Sequence, residues 1–498
     1  MRTALSAIVV LACLVTTLAA AQAPPKRATR NLSLAEADSL ALRRNLRLAA
    51  EKINPQRAHT VIIEQQAIFD PITYGELTRS KTKALSATTI SGEQNQQAKA
   101  VLGIAKLMPP GTTIDLHAGG ARDWNDSPFT DINPAYTQEW GATITQPLLR
   151  GFGTRVNTAG IATAKNERRI AQATLRNAAL ETLASVRKTY WVLVFAIRDR
   201  ALIQRSLDRA LNLQRDIQAR VDAKVLGERD PAVAQAKAEV AVRQEEIVAA
   251  NQSIRDAEDS LKVITDIAAD PNVWKIGLTP TTNPSPNVPA LNPDQAVATA
   301  IANRPDYRQA KLLIDNQDIV LTVRRNELLP KLNLSAGVGT SGLGSSWNRA
   351  EHELSTVDYY NWSFGLSLEY PLGNRSARAR FRRARLEHDQ AFINLKALER
   401  QIQLEVRNAV RAIATNVERL RATNVSIDAE QERLRAEEIR YKEARVGTIQ
   451  DVLDAQAALS EAERRGLRAL IDLNRSVVDV ERLQGTLLDR ANVKWEDE

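Results

Sequence analysis

Cysteine is all but missing from this chain of 498 residues. Cys13 is the only one, which excludes a disulfide scaffold and thiol-based catalysis. The four histidines, His59, His117, His352 and His388, are scattered too widely for local metal-ligand spacing. No metal and no cofactor is therefore expected, and the histidines are given no role. Glycine (21) and proline (19) are scarce and aromatics make up 4%, where glycine and proline alone average about 12%. That excludes a collagen and an ordinary all-β sandwich, and it favours long helices. Beyond the N-terminus, no stretch reaches the roughly 18 uncharged apolar residues of a spanning helix. Net charge is +8 with 25% charged residues, so most charge is balanced locally, and no nucleic acid partner is expected. Carboxylates are plentiful, but nothing nominates a catalytic pair, so the chain does not read as an enzyme.

What is present begins with an export signal. Arg2 precedes an apolar run over 4–21, and Ala19-Ala20-Ala21 offers a small-residue cleavage site before Gln22. Residues 1–21 thus read as a signal peptide. The rival is a lipoprotein box at Val10-Leu11-Ala12-Cys13, but the apolar run continues past Cys13 and places it inside the hydrophobic segment. Any membrane the exported chain enters must then be crossed by strands.

The chain also matches itself. Leu32, Ala37, Ala41 and Pro71 recur as Leu291, Ala296, Ala300 and Pro330, and Gly153, Ala164 and Val186-Arg187 recur as Gly373, Ala384 and Val406-Arg407. Two repeats follow, 22–269 and 294–490, joined by a proline-rich linker over 270–293 and ending in a tail over 491–498. Each repeat reads helix, strands, very long helix, helix. The strands are expected at about 72–147 and 331–371, the long helices at about 154–226 and 374–446, and the returning helices at about 231–267 and 448–488. Segments 161–226 and 374–446 hold neither glycine nor proline, and their apolar residues step by three and four in coiled-coil fashion. Breaks are expected at Gly227 and Gly447.

Between the helices the period changes to two. Trp362, Phe364, Leu366, Leu368 and Tyr370 alternate with Ser363, Gly365, Ser367 and Glu369, the pattern of a strand with lipid on one side and water on the other. Eleven of the 22 aromatics fall within 120–152 and 347–370, where an interfacial girdle would need them. Pro71, Pro147, Pro330 and Pro371 mark the four helix–strand joints. Both flanking helices must lie on one side of the membrane, so the crossings per half are even in number.

Here the sequence resembles the TolC-like outer-membrane efflux proteins. The resemblance is carried by Leu32-Ser33-Leu34-Ala35-Glu36-Ala37, Gln146-Pro147-Leu148-Leu149, Glu327-Leu328-Leu329-Pro330 and Asp451-Val452-Leu453-Asp454-Ala455-Gln456. It implies a mainly α protein with a transmembrane β-barrel part: long antiparallel coiled-coil helices forming a periplasmic α-barrel below an outer-membrane β-barrel shared by a homotrimer. The implied function is a passive duct of a tripartite efflux or type I secretion system, partnered by a periplasmic adaptor and an inner-membrane transporter. The competing reading is a coiled-coil envelope scaffold or adhesin without a pore. By resemblance, the helix tips around Lys224, Gly227, Arg445 and Gly447 meet the adaptor, and Asp451 and Asp454 form an acidic ring at the periplasmic aperture. Crowded in a ring, some of these carboxylates should gain proton affinity. The first half carries 39 more residues between its proline and glycine markers than the second (Pro71 to Gly153 against Pro330 to Gly373). Two crossings per half is the family pattern, which makes the surplus an extracellular or rim hairpin; four crossings in the first half is the alternative. Gly337-Val338-Gly339-Thr340-Ser341-Gly342 fits a dinucleotide fingerprint, but no helix opens after it and it reads as an extracellular loop. Arg375, Arg378, Arg380, Arg382, Arg383 and Arg385, just past a strand, suit phospholipid headgroups or pore-lining charge.

Overall fold

A computed structural model describes residues 28–85, 92–288, 291–444 and 448–491. The expected signal peptide, Arg445 and Gly447 lie outside the described residues, as do all but the first residue of the expected tail.

Strand β1 (Thr29–Leu32) leads into three helices, α1 (Leu34–Arg44), α2 (Leu46–Glu51) and α3 (Ile53–Gln66). Four strands follow: β2 (Ile72–Lys83), β3 (Gln94–Leu107), β4 (Thr113–Asn125) and β5 (Ala135–Pro147). The single turn α4 (Thr154–Asn157) then opens α5 (Ala159–Asp222), which reverses into α6 (Pro231–Ile264). Strand β6 (Gly277–Pro280) lies within the proline-rich stretch and pairs in parallel with β1. The second half runs through α7 (Pro293–Asn303), α8 (Pro305–Asn326), β7 (Lys331–Gly344), α9 (Trp347–Thr356) and β8 (Tyr360–Glu369). It continues into α10 (Arg375–Ile439), a π-helical turn over Arg440–Ala444, α11 (Ile449–Leu483) and α12 (Leu487–Arg490). No helix among the described residues is long and apolar enough to cross a membrane.

The long helices form because nothing interrupts them. Helix α5 has 64 residues and α10 has 65, each about 96 Å long at 1.5 Å per residue. Each packs along its returning partner, α5 on α6 and α10 on α11. On α5 the buried positions Leu183, Val186, Tyr190, Leu193 and Val194 follow the helical step. They meet Leu32, Ala37, Ala41, Leu261, Val478 and Leu487 in the largest core. Helix starts are capped locally: the Ser33 side chain accepts from Glu36 N at 3.2 Å, and Asp230 caps α6 with Pro231 in its first turn. Tyr190 is fully buried and ties the N-terminus to the central stretch. Its hydroxyl donates to Leu32 O at 3.1 Å and accepts from Thr282 N at 2.9 Å.

The other six strands form one antiparallel sheet in the order β2-β3-β4-β5-β7-β8. The surplus of the first half is therefore two more members of the same sheet, β3 and β4, and not a hairpin set apart from it. Their connecting turn lies at the helix end of the sheet, where Gly153 N donates to Pro110 O at 3.0 Å. The glycine-rich segment read as a loop is also strand: β7 runs on to Gly344. Its glycines are used for contact. A Cβ on Gly342 would come within 2.0 Å of Ala350 O, and one on Gly344 within 2.6 Å of Ala350 N, because α9 lies directly against β7 there.

Candidate functional site

Period two gives the sheet two chemically different faces, and the register carries each face from strand to strand. One unbroken row reads Thr73, Ile104, Leu116, Ala142, Val338, Trp362. Leu77, Leu102, Ile144, Phe364, Leu366 and Leu368 share its face and are exposed, Leu77 at 89% and Phe364 at 69%. An apolar band this broad cannot stay in water. The next row, Tyr74, Gly103, His117, Gly141, Gly339, Asn361, belongs to the opposite face. There the Tyr74 hydroxyl donates to Asp115 at 2.9 Å, His117 Nδ1 lies 3.0 Å from Asp115, and Lys99 pairs with Glu139 at 3.3 Å. Sequence spacing could not find this set, because strand pairing brings together positions up to 41 residues apart.

At the helix–sheet joint, α10 opens in the basic run. Asn374 adopts a left-handed conformation (φ 42°), and its side-chain amide donates to Leu328 O at 3.1 Å. Arg380 pairs with Glu327 at 3.1 Å and Arg383 lies 3.8 Å from Glu387. Cations at a helix N-terminus oppose its dipole, so this collar favours anionic company.

At the far ends of the helices the two hairpins are clasped together. Leu213, Ile217, Ala236, Leu434, Val452, Leu453 and Leu459 share a core. Arg220 stacks 4.5 Å from the Tyr441 ring centroid, and Lys442 pairs with Asp216 at 3.2 Å. The left-handed position in the first turn is Lys224 (φ 57°), not Gly227. Among the described residues, a Cβ on Gly227 would meet nothing within 4 Å. The break thus comes from how α5 ends at Asp222.

Asp451 and Asp454 lie in the first turns of α11, three apart on one side. Asp451 serves in a capping box: its carboxylate accepts from Thr448 N at 2.9 Å and from Thr448 Oγ1 at 2.7 Å, while Asp451 N donates to Thr448 Oγ1. These bonds, the backbone one foremost, hold its carboxyl below the ordinary value of 3.8. That direction is opposite to the rise expected from crowding carboxylates, and its cause lies within one chain. Asp454 is exposed and accepts from Gln450 Nε2 at 2.8 Å.

Comparison with known proteins now adds to the geometry. Residues 296–486 match the family model described as outer membrane efflux protein. The second half is thus similar to that family. Nodulation protein T of Rhizobium leguminosarum bv. trifolii is 28% identical over 188 residues, which are 37% of this chain and 39% of that relative's length. The solved outer-membrane channel OprN superposes with a TM-score of 0.67 at 18% identity, covering 91% of this chain and 90% of that one. The open-state Neisseria gonorrhoeae MtrE outer-membrane channel superposes with a TM-score of 0.63 at 19% identity, covering 91% and 89%. The matched stretch includes α10, α11 and β7–β8, and the fold shared with these channels extends over nearly all of the chain.

Proposed function

We propose that this protein is a passive outer-membrane duct that carries cargo from a periplasmic pump and adaptor to the exterior, as part of a tripartite efflux or type I secretion assembly. The observation that carries the reading is the sheet: an exposed apolar face backed by a polar one, set on helices about 96 Å long. A coiled-coil scaffold without a pore has no use for such a sheet. Among the described residues β2 and β8 have no partner on their outer edges, and unpaired backbone is not tolerated in lipid. Closure of three copies head to tail, β8 of one beside β2 of the next, satisfies both edges and makes the homotrimer. In this reading 1–21 is the export signal, 22–269 and 294–490 are the two repeats, and 270–293 is their linker. The arginine collar of α10 meets lipid headgroups.

The tips around Lys224, Gly227, Arg445 and Gly447 are proposed to dock the adaptor. Among the described residues a Cβ at Gly227 meets nothing within 4 Å, so Gly227→Trp should leave trimer assembly intact and reduce efflux at least tenfold. Export by Gly227→Trp at the wild-type rate would remove Gly227 from the docking surface.

Asp451 and Asp454 are proposed as the acidic ring of the aperture, six carboxylates in a trimer. Purified protein in planar bilayers should show a stable unit conductance with cation preference and block by a trivalent cation. Asp451→Asn with Asp454→Asn should lose both the preference and the block. Because Asp451 is held below 3.8, its charge and its cap persist at all pH above that value and disappear as pH falls through the lowered one. Loss of this charge should appear as a fall in cation preference on acidification through the carboxylate range. No unit conductance at all would reject the duct; conductance with unchanged ion preference in the double variant would reject only the ring.

A further inference from the structure

We infer that all six strands of each copy cross the membrane, so that the closed barrel has 18 strands and an open, hydrophilic lumen that passes bulky solutes. The inference rests on the trimeric-duct reading above and deepens it by assigning the size class of cargo the outer opening admits.

Length is the first support. The six strands have 12, 14, 13, 13, 14 and 10 residues, and a tilted transmembrane strand needs about 9–11. The second is that β3 and β4 share the apolar band and do not stop short of it. Ile104 and Leu116 sit in the same register row as Val338 and Trp362 of the second half. The band also ends on these strands where it ends on their neighbours: one row toward the outer end reads Arg79, Ala98, Arg122, Tyr136, the basic and aromatic residues of a headgroup level. A hairpin standing in water beyond the rim would show neither the band nor its boundary. The third is chain direction. Six strands, like four, return the chain to the helix side, and β8 running inward lies antiparallel to the outward-running β2 of the next copy.

Three six-stranded sheets make 18 strands. With strands about 4.8 Å apart and tilted about 40°, opposite backbone walls then stand about 36 Å apart, against about 24 Å for twelve strands. Barrels of 16–18 strands leave an aqueous channel. Here the inner face adds little bulk to narrow it. Its large side chains lie along the wall, over glycines of the adjacent strand: a Cβ on Gly103 would fall 2.4 Å from the Tyr74 ring, and one on Gly141 would fall 2.8 Å from the His117 ring. Lys99 and Glu139 pair with each other across β4 beside Gly119. Restriction of cargo then falls to the helical end of the duct, and the barrel admits hydrophilic solutes too wide for a twelve-stranded opening.

Alternate-residue thiol labelling tests this. Single-cysteine variants are made in a Cys13→Ser background: Val101→Cys and Leu102→Cys on β3, with Ser363→Cys and Phe364→Cys on β8 as the reference pair. Each full-length trimer is reconstituted in phospholipid vesicles and exposed to a membrane-impermeant maleimide. The expected result is labelling at least tenfold faster at Val101→Cys than at Leu102→Cys, with the same contrast between Ser363→Cys and Phe364→Cys. If only the β8 pair alternates, and the β3 pair reacts equally whether fast or slow, the six-strand barrel is overturned while the duct stands. If neither pair alternates, the membrane-barrel reading itself is overturned.

Discussion

Replacing Arg187 with methionine should destabilise the protein by about 3–5 kcal/mol, the usual cost of leaving a buried charge without its partner. Arg187 projects from α5 between α1 and α11. It donates from Nε to Asp38 at 2.9 Å and from Nη1 to Glu481 at 3.2 Å. Asp38 is 3% exposed, and its Oδ1 has no hydrogen-bond partner among the described residues. Glu481 keeps a second cation, with Arg490 at 3.1 Å, so the burden falls mainly on Asp38. Burial already holds the Asp38 carboxyl above its ordinary value, with Arg187 acting the other way. Removal of that cation should raise it further. A carboxyl raised in the folded state gains stability as pH falls through its folded value, since the native form then binds more protons than the unfolded one. The deficit of Arg187→Met should accordingly narrow between pH 7 and about pH 5, and Asp38→Asn added to Arg187→Met should recover part of it. Chemical denaturation of the wild type, Arg187→Met, Asp38→Asn and the double variant at both pH values measures this. A deficit below about 1 kcal/mol, or one that widens on acidification, would show that the triad does not hold α1 on α5.

The second large effect is expected at the outer end of β7. Gly342→Leu places a Cβ within 2.0 Å of Ala350 O and 2.5 Å of Leu354 N. Both are backbone atoms of α9, so no side-chain rotation relieves the clash, and the helix must lift away. Overpacking of this kind costs about 1–3 kcal/mol. Opening of α9 should then become up to about a hundredfold more frequent, read as faster cleavage within 347–356 by an external protease. Strand pairing should survive, because Gly342 faces Gln138 across the ladder and its backbone bonds are untouched. Loss of Trp347 from its edge-on contact with Tyr136, at 5.1 Å, should appear as a change in tryptophan fluorescence. Unchanged cleavage and fluorescence would mean that α9 is not seated on these glycines.

How much of this was legible in the residues follows from the range of the forces involved. The helices were readable because their cause is local: 161–226 and 374–446 lack breakers, and Leu183, Val186, Tyr190 and Leu193 repeat at helical spacing, which one turn of backbone suffices to express. The β8 segment was readable for the same reason, since alternation of Trp362, Phe364, Leu366 and Leu368 belongs to a single strand. The likeness to TolC-like proteins rested on ordered short motifs of this kind. The residues alone also showed the 39-residue surplus of the first half, but not its fate.

Tertiary structure decided the rest, wherever the partner of a residue lies far along the chain. Whether β3 and β4 join the sheet depends on pairings such as Ile104 with Leu116 and Leu116 with Ala142, and register is invisible in a single strand. Gly337, Gly339 and Gly342 read as a loop because glycine weakens an isolated strand; β5, β8 and α9 packed around them make the absence of side chains an advantage. Lys224 takes the left-handed position in the first tip, although local preference assigns it to Gly227. The low proton affinity of Asp451 follows from the Thr448 N–H and hydroxyl pointing at its carboxylate, a geometry that spacing alone left undetermined. Composition and period determined the long helices and the amphipathic strand β8. Only the sheet's register determined how wide a wall the strands make, because a strand's neighbours are chosen by packing across the fold and not by its own residues.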